Sequence, residues 1–195
     1  MKFVLATANS GKISEMIVIL AGFGIEVVTR DELGIDVTIE ETGSTFYENA
    51  LLKASALCSI TGLPSIADDS GLCVDALDGA PGVFTSSFGK SDFTDYDRNN
   101  YLLKIMKNME HREAKFVCNI VCAFPDGKIL SAEGECVGEI LSAPIGANGF
   151  GYDPVFRANG QTKSMAELPI EVKNEISHRG KALKAFTEKL SDYVE

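Results

Sequence analysis

The stretch Ile66-Ala67-Asp68-Asp69-Ser70-Gly71-Leu72 decides the fold, because two adjacent carboxylates end a short apolar run there. Residues 65–67 predict a buried strand, and Gly71 predicts a tight turn after it. Both carboxylates then lie at the carboxyl end of a strand. Since side chains alternate across a strand, Asp68 and Asp69 point to opposite faces if the strand stays extended, so one can hold a metal or activate water while the other orients a cation. Two turn-forming aspartates before a glycine are the structural alternative.

Composition predicts one domain over residues 1–195, of the ordinary globular class. The chain is 45% hydrophobic and 24% charged, and none of its apolar runs approaches the roughly 20 residues that span a membrane. The short apolar opening of residues 1–7 stops too early for a signal peptide. The five cysteines lack paired CxxC spacing, which indicates reduced core thiols. We therefore expect a cytoplasmic protein that does not associate with membranes.

The formal net charge of −10 argues against broad nucleic-acid binding, which depends on a basic surface. A small anion can still bind where a few cations converge, and a bound Mg²⁺ can add the charge that the protein lacks. Acidity therefore excludes DNA and RNA as expected partners but leaves nucleotides open.

The amino-terminal segment reads as strand, loop and helix. Residues 2–7 form a short apolar strand, residues 8–12 a polar loop, and residues 13–20 have helical apolar spacing. Backbone N–H groups at the helix start, with Lys12 beside them, favour phosphate binding. The P-loop pattern is only half present, since Gly11-Lys12 fits but its first glycine and its Ser/Thr are missing, so a P-loop NTPase is excluded. A polar turn with a solvated lysine is the alternative.

The next segments predict further strands and a capped helix. Residues 24–28 and 37–41 read as strands, the second ending at Glu41. A capping box at Thr45 opens a long helix through about Ser59. Lys53 on this helix is an ordinary solvated lysine unless its face meets Asp68 and Asp69.

The later chain predicts an α/β fold with a mixed central sheet, flanking helices and a long antiparallel hairpin extension. Thr94 can cap a helix over residues 96–109. Residues 114–124 and 128–140 flank Pro125-Asp126-Gly127 and predict the hairpin, whereas the alternating strands and helices before it predict parallel pairing.

Two polar or aromatic segments remain near the carboxyl end. Residues 148–154 are too rich in glycine for a helix, and Phe150 can stack on a planar base or simply anchor the loop to the core. A capping box at Ser164 opens a helical tail that carries His178 and Arg179. This pair fits an anionic or carbonyl-rich ligand, although a surface His-Arg pair usually has no function.

Together these stretches resemble the inosine/xanthosine triphosphate pyrophosphatases over nearly the whole chain. The resemblance rests on seven motifs in the family's order: Thr7-x-Asn9-x-x-Lys12, Glu41-Thr42-Gly43, Glu48-Asn49-Ala50 with Lys53, residues 67–72, Gly79-Ala80-Pro81-Gly82, residues 149–154 and Ser177-His178-Arg179. It implies a Mg²⁺-dependent homodimer that converts ITP, dITP and XTP to the monophosphate and pyrophosphate, clearing deaminated purines from the nucleotide pool.

The resemblance also assigns roles by matching position. It implies that Glu41 and Asp69 bind the metal, that Asp69 accepts a proton, and that Asp68 and Lys53 support the acidic centre. The remaining implied positions bind the substrate: Thr7, Ala8, Asn9, Ser10, Gly11, Lys12, Ser70, Phe150, Gly151, Tyr152, Asp153, Lys173, His178 and Arg179. One departure is Thr85-Ser86-Ser87, where many relatives carry Ser-Ala-Arg, which leaves the role of this loop open.

The chemical properties of the candidate residues also indicate a hydrolase, independently of the resemblance. Cleaving a phosphoanhydride needs charge on the phosphates neutralised, a positioned water and a base, and Lys12, Lys53 and Asp69 are suited to these tasks. Two other interpretations stay open: a phosphatase with an aspartyl nucleophile, and a protein that binds nucleotides without hydrolysing them.

Overall fold

The computed structural model describes residues 2–194. Its strands are β1 (Lys2–Leu5), β2 (Glu26–Thr29), β3 (Ser65–Val74), β4 (Glu113–Ala123), β5 (Ile129–Ile140) and β6 (Phe156–Ala158). Its α-helices are α1 (Ser10–Gly22), α2 (Phe46–Thr61), α3 (Asp95–Ile105), α4 (Ile170–Ile176) and α5 (His178–Val194). Short 3-10 helices lie in the connections, among them Gly82–Ser87 and Asp153–Val155.

The strands form a six-stranded sheet in the order β2-β1-β3-β4-β5-β6. β1 pairs in parallel with β2 and with β3, where Val4 is opposite Ser65. β5 pairs antiparallel with β6, and Ile140 is opposite Phe156. β4 and β5 are adjacent and follow the predicted turn, with Phe124 N donating to Lys128 O at 2.9 Å. The predicted mixed α/β sheet with a hairpin is confirmed.

Local capping signals set the starts of three helical segments. Thr45 and Glu48 form a complete capping box at α2, and Thr94 and Asp97 do so at α3. Ser164 caps a single 3-10 turn instead of a long helix, and the tail continues as α4 and then α5. The capping boxes were correctly read from the sequence because they depend on residues only three positions apart.

Two strand predictions were wrong. β3 does not end at Asp68 and Asp69 but continues without a turn from Ser65 to Val74, so both carboxylates and Gly71 lie within the strand. Residues 37–41 are not a strand. Val37 and Ile39 are partly buried and alternate with exposed polar residues, but the segment is not one of the strands of the sheet, and a strand needs a hydrogen-bonded neighbour.

The chain divides into two compact units, and each has its own core. The first contains residues up to 69, residues 118–134 and residues from 178 onward; the second contains residues 70–117 and 135–177. In the second unit the core combines residues of β3, β4, β6 and α3, and the rings of Phe116 and Phe156 meet edge to face at 4.8 Å. The prediction that residues 1–195 form a single domain stays a prediction.

Within the first unit, helices cover both faces of the sheet. Phe3 and Leu5 of β1 pack into one core with residues of α1 and α5, whereas Val4 and Ala6 pack into another with residues of α2. The same alternation continues in β3, where Ile66 faces the α1 and α5 side and Ala67 faces the α2 side. The next two residues of β3 therefore reach opposite faces of this sheet.

The five cysteines are free, as predicted, and four of them are buried, whereas Cys73 is only partly buried. Of the helices in residues 2–194, none combines the length and the apolar character needed to cross a membrane.

Candidate active site

The loop from β1 to α1 exposes a helix start with a lysine beside it. Asn9 is the N-cap of α1, and its Oδ1 accepts a hydrogen bond from Lys12 N at 3.0 Å. Thr7 is buried, and its Oγ1 accepts a hydrogen bond from Asn9 N at 3.2 Å. Ala8 of the loop and Ser10 and Gly11 of the first turn of α1 are at least partly exposed. Since the positive end of a helix dipole lies here, this loop suits an anionic group such as phosphate.

Asp68 is fully buried and lies against two cations. Its Oδ1 is 3.0 Å from Lys12 Nζ, and its Oδ2 accepts hydrogen bonds from Arg179 Nη2 at 3.0 Å and Nε at 3.2 Å. Burial alone would raise the pKa of Asp68, but Lys12 and Arg179 hold that pKa well below its usual range. Asp68 is therefore a fixed negative charge at neutral pH.

Asp69 meets a different cation on the α2 side of the sheet. Lys53 Nζ donates to Asp69 Oδ1 at 3.0 Å and to Glu41 Oε1 at 2.9 Å. Burial raises the pKa of Asp69, and the charge of Lys53 offsets this only in part. Burial lowers the pKa of Lys53, but Asp69, Asp68 and Glu41 outweigh it, so its net direction is upward and the ammonium stays protonated.

The environments of the two aspartates thus push their pKa values in opposite directions. Asp68 is held as an anion by two cations, whereas Asp69 is a buried carboxylate whose proton affinity is raised. Two neighbouring carboxyls separated in this way are typical of acid–base sites, in which one fixes charge and the other exchanges a proton.

Asn49 holds the second carboxylate in place, and it was missed as a site residue. Its Nδ2 donates to Asp69 Oδ2 at 3.3 Å, and its Oδ1 accepts from Gly43 N at 2.8 Å. A Cβ at Gly43 would stand 2.7 Å from that Oδ1, so only glycine allows this approach. Asn49 precedes Lys53 by one helical turn, which was the signal for a shared face.

The donor set of Glu41 and Asp69 fits a divalent cation. Their oxygens already converge on one positive charge, Lys53 Nζ, at 2.9 and 3.0 Å. Among residues 2–194, no group of three or more His, Cys, Asp or Glu side chains is arranged to hold a metal ion. Mg²⁺ commonly takes only one or two protein carboxylates and completes its shell with waters and substrate phosphates. These residues therefore suit a cation shared with a phosphate ligand.

Arg179 is buried between two carboxylates. Besides its bonds to Asp68, its Nη1 donates to Glu15 Oε2 at 2.5 Å, and the Arg179 and Glu15 side chains are only 2% and 4% exposed. Glu15 was not predicted as part of the site, although it lies one helical turn after Lys12 on α1. Three hydrogen bonds to two carboxylates fix the guanidinium plane.

The segment 149–154, called the aromatic loop here, carries the second group of predicted residues. Lys173 Nζ forms an ion pair with Asp153 Oδ2, and both side chains are about 95% buried. Phe150 N donates to the same Oδ2 at 3.0 Å, and Lys173 Nζ lies 5.0 Å from the centre of the Phe150 ring. A Cβ at Gly149 would stand 2.0 Å from Asp153 Oδ2, so the loop can close on this carboxylate only through glycine.

The predicted residues fall into both compact units. The first unit holds residues 7–12, Glu41, Lys53, Asp68 and Asp69, together with His178 and Arg179 at the start of α5. The second holds Ser70, the aromatic loop and Lys173. Ser70 is half-buried within β3, and His178 is 7% exposed. Within each unit, predicted residues distant in the sequence are in contact.

Comparisons of the sequence with known families and proteins give matches over nearly the whole chain. A sequence model of the Ham1 family matches residues 3–189. The dITP/XTP pyrophosphatase of Deinococcus deserti is 48% identical over 183 residues, which cover 94% of this chain and 86% of that protein. The dITP/XTP pyrophosphatase of Escherichia coli O157:H7 is 45% identical, with 97% of this chain and 98% of that protein covered.

Solved structures agree with the sequence matches. A Ham1 protein from Coxiella burnetii superposes with a TM-score of 0.89 at 40% identity, covering 98% of this chain and 99% of that one. The Ham1 protein of Staphylococcus aureus gives a TM-score of 0.88 at 39% identity, covering 99% and 100%.

Proposed function

The chain belongs to the Ham1 family, and we propose that it hydrolyses ITP, dITP and XTP to the nucleoside monophosphate and pyrophosphate. The observation that carries this proposal is the pair of adjacent carboxylates, of which Asp68 is held as an anion and Asp69 has a raised pKa beside Lys53. A pyrophosphohydrolase that removes deaminated purines from the nucleotide pool needs charged groups that form a phosphate-binding site. It also needs a base that takes a proton from the attacking water.

The proposed triphosphate site is formed by Thr7, Ala8, Asn9, Ser10, Gly11 and Lys12. Their support is the exposed start of α1, where backbone N–H groups and the ammonium of Lys12 can neutralise phosphate oxygens. Lys53 adds a second cation close to Asp69. Charge neutralisation is the largest requirement of phosphoanhydride cleavage, which accounts for the presence of Lys12 and Lys53 at the proposed site of an otherwise acidic protein.

Asp69 is proposed as the proton acceptor. The oxygen of a water attacks phosphorus, the anhydride P–O bond breaks, pyrophosphate leaves, and the proton of the water goes to an Asp69 oxygen. Burial raises the pKa of Asp69, which makes its carboxylate a stronger base than that of an exposed aspartate. Asn49 and Lys53 hold the carboxylate in one orientation.

Mg²⁺ is the proposed cofactor, with Glu41 and Asp69 as its protein ligands. When bound, a magnesium ion neutralises phosphate charge and polarises the bond to be cleaved. The carboxylates of Glu41 and Asp69 supply hard oxygen donors that already stabilise a positive charge.

The aromatic loop is proposed to bind the purine base. Phe150 is half-buried and can stack on a purine, and the ion pair of Asp153 and Lys173 places hydrogen-bonding groups beside it. Ser70, Gly151, Tyr152, His178 and Arg179 complete the proposed substrate residues. For Arg179, the bonds to Asp68 and Glu15 favour holding the Asp68 carboxylate over direct contact with the base.

The partner and location of the enzyme are also proposals. The resemblance implies a homodimer, composition favours the cytoplasm, and neither nucleic acid nor a membrane is an expected partner. The charge of −10 supports the first of these two exclusions.

A product assay tests the function. ITP, dITP, XTP, ATP and GTP are incubated with the protein and Mg²⁺, and pyrophosphate and orthophosphate are measured separately. We expect pyrophosphate and the monophosphate in equal amounts from the first three. Orthophosphate with a trapped phospho-aspartate would identify an aspartyl phosphatase, and tight binding of ITP without either product would identify a nucleotide-binding protein.

A further inference from the structure

One residue of the aromatic loop is held at both of its backbone polar atoms by a single helix. Gly151 N donates to Asp95 Oδ2 at 2.7 Å, and Gly151 O accepts from Asn99 Nδ2 at 3.0 Å. Asp95 and Asn99 are four positions apart on α3, so they lie on one face, one turn from each other. No motif identified in the sequence includes either residue.

The two residues that hold Gly151 differ in exposure, but both belong to α3. Asn99 is 3% exposed, and a buried amide of this kind is costly unless it is hydrogen-bonded. Asp95 is exposed and begins α3. The capping box of Thr94 and Asp97 fixes where that helix begins, and this fixes the positions from which the Asp95 and Asn99 side chains reach Gly151.

The loop needs such a restraint because glycines flank its aromatic ring. Gly149 and Gly151 have φ values of +74° and +62°, in the left-handed region, and Phe150 lies between them. Glycine loses more conformational freedom on ordering than any other residue, so an unrestrained segment of this kind would let the ring occupy many orientations. Asp153 holds the backbone N–H of Phe150, and the contacts of Gly151 hold the backbone directly after Phe150.

A further hydrogen bond anchors the next residue. Tyr152 OH donates to Thr85 O at 3.1 Å, and Thr85 Oγ1 accepts from Leu72 N at 2.9 Å. This gives the Thr85-Ser86-Ser87 segment a structural task, to tie the aromatic loop to β3. The Asp95 and Asn99 contacts, however, hold the residue directly after Phe150.

We propose that Asp95 and Asn99 are positioning residues for base binding: by fixing the Gly151 peptide they set the orientation of the Phe150 ring. This inference rests on the proposed function, in which Phe150 stacks on the purine. It predicts effects on KM rather than on kcat, because the reacting phosphates are bound by other residues.

The first test compares the same chemical change at two neighbouring positions of α3. Asn99→Asp replaces the donor to Gly151 O with a carboxylate oxygen, whereas Asn100→Asp makes the same change at an exposed position. We expect Asn99→Asp to raise KM for ITP about tenfold with kcat within about threefold, the effect of a lost hydrogen bond whose partner stays unsatisfied. Asn100→Asp should match the wild type.

The second test uses the exposed partner, which avoids any folding defect at a buried site. Asp95→Ala removes the acceptor of Gly151 N, whereas Asp95→Asn keeps an oxygen there. We expect Asp95→Ala to raise KM, Asp95→Asn to restore it, and amide hydrogen exchange of residues 150–151 to rise only in Asp95→Ala. Unchanged exchange and unchanged KM in Asp95→Ala and Asn99→Asp would overturn the inference.

A double-mutant cycle asks whether these residues act through Phe150. In the Phe150→Ala background, Asn99→Asp should change KM by less than about twofold, because there is no ring left to orient. The same tenfold change in both backgrounds would overturn the inference while leaving the proposed function intact. Failure of the wild type to release pyrophosphate from ITP would overturn the proposed function, and the base-binding role with it.

Discussion

Asp68 and Asp69 are consecutive residues of β3, yet their carboxylates pair with different cations on opposite faces of the first unit's sheet. Asp68 contacts Lys12 and Arg179, and Asp69 contacts Lys53. The alternation of side chains along a strand thus places two identical residues in different environments, so that one is a fixed charge and the other is the proposed proton acceptor. The proposed hydrolysis depends on that division of roles.

Replacing the fixed charge should affect stability first. Asp68→Asn leaves Lys12 and the buried Arg179 without their main counter-ion, and breaking a buried ion pair from one side costs roughly 3–5 kcal/mol. Urea unfolding at pH 7 measures the free energy of unfolding. Asp92→Asn, the same change at an exposed position, should cost less than about 0.5 kcal/mol. Equal values for the two variants would show that the Asp68 ion pairs contribute nothing.

Asp68 should also make the free energy of unfolding depend on pH. Lys12 and Arg179 outweigh burial and lower the folded-state pKa of Asp68 below that of the unfolded chain, which is about 3.9. Its stabilisation is therefore fully present above about pH 5 and is lost as the pH falls below about 4, because the unfolded chain then binds the proton first. The difference in unfolding free energy between the wild type and Asp68→Asn should narrow between pH 6 and pH 3. A difference that stays constant would mean that the Asp68 pKa is not lowered.

Lys12→Ala should weaken binding of the triphosphate more than binding of the nucleoside. A charge-assisted contact of about 1.5–3 kcal/mol is lost only for the phosphorylated ligand, so KM for ITP should rise at least tenfold while inhibition by inosine stays nearly constant. Lys107→Ala, at an exposed lysine, is the matched control. If inosine and ITP weaken equally, the substitution has damaged the fold and Lys12 is not a phosphate ligand.

Short-range signals in the sequence predicted much of this fold. The capping boxes at Thr45 and Thr94 and the turn between β4 and β5 involve residues only a few positions apart. The stretch of residues 68–71 was assigned to a strand end because Asp, Ser and Gly favour turns. In the structure, sheet pairing of β3 and the ion pairs of both aspartates override that local preference.

Contacts between distant residues were beyond reach of the sequence pattern. Glu15 and Arg179 are 164 positions apart, and Asp95 and Gly151 are 56 apart. Nothing in the spacing of either pair predicts that they meet, and Asp95 and Asn99 look like ordinary polar residues of a helix. Lys53 was singled out only on the condition that its helix face meets the two aspartates, and in the structure it does so at Asp69.

The role of Asp69 as proton acceptor is best tested by the kcat for pyrophosphate release from ITP by the Asp69→Asn variant. A proton-acceptor role predicts a fall of roughly 10²–10⁴, the usual effect of removing a positioned acid–base group, in a variant that still folds. The assay is run at saturating ITP over a series of Mg²⁺ concentrations, so that weaker metal binding is separated from loss of the base. Turnover near the wild-type value with an unchanged Mg²⁺ requirement would contradict the account.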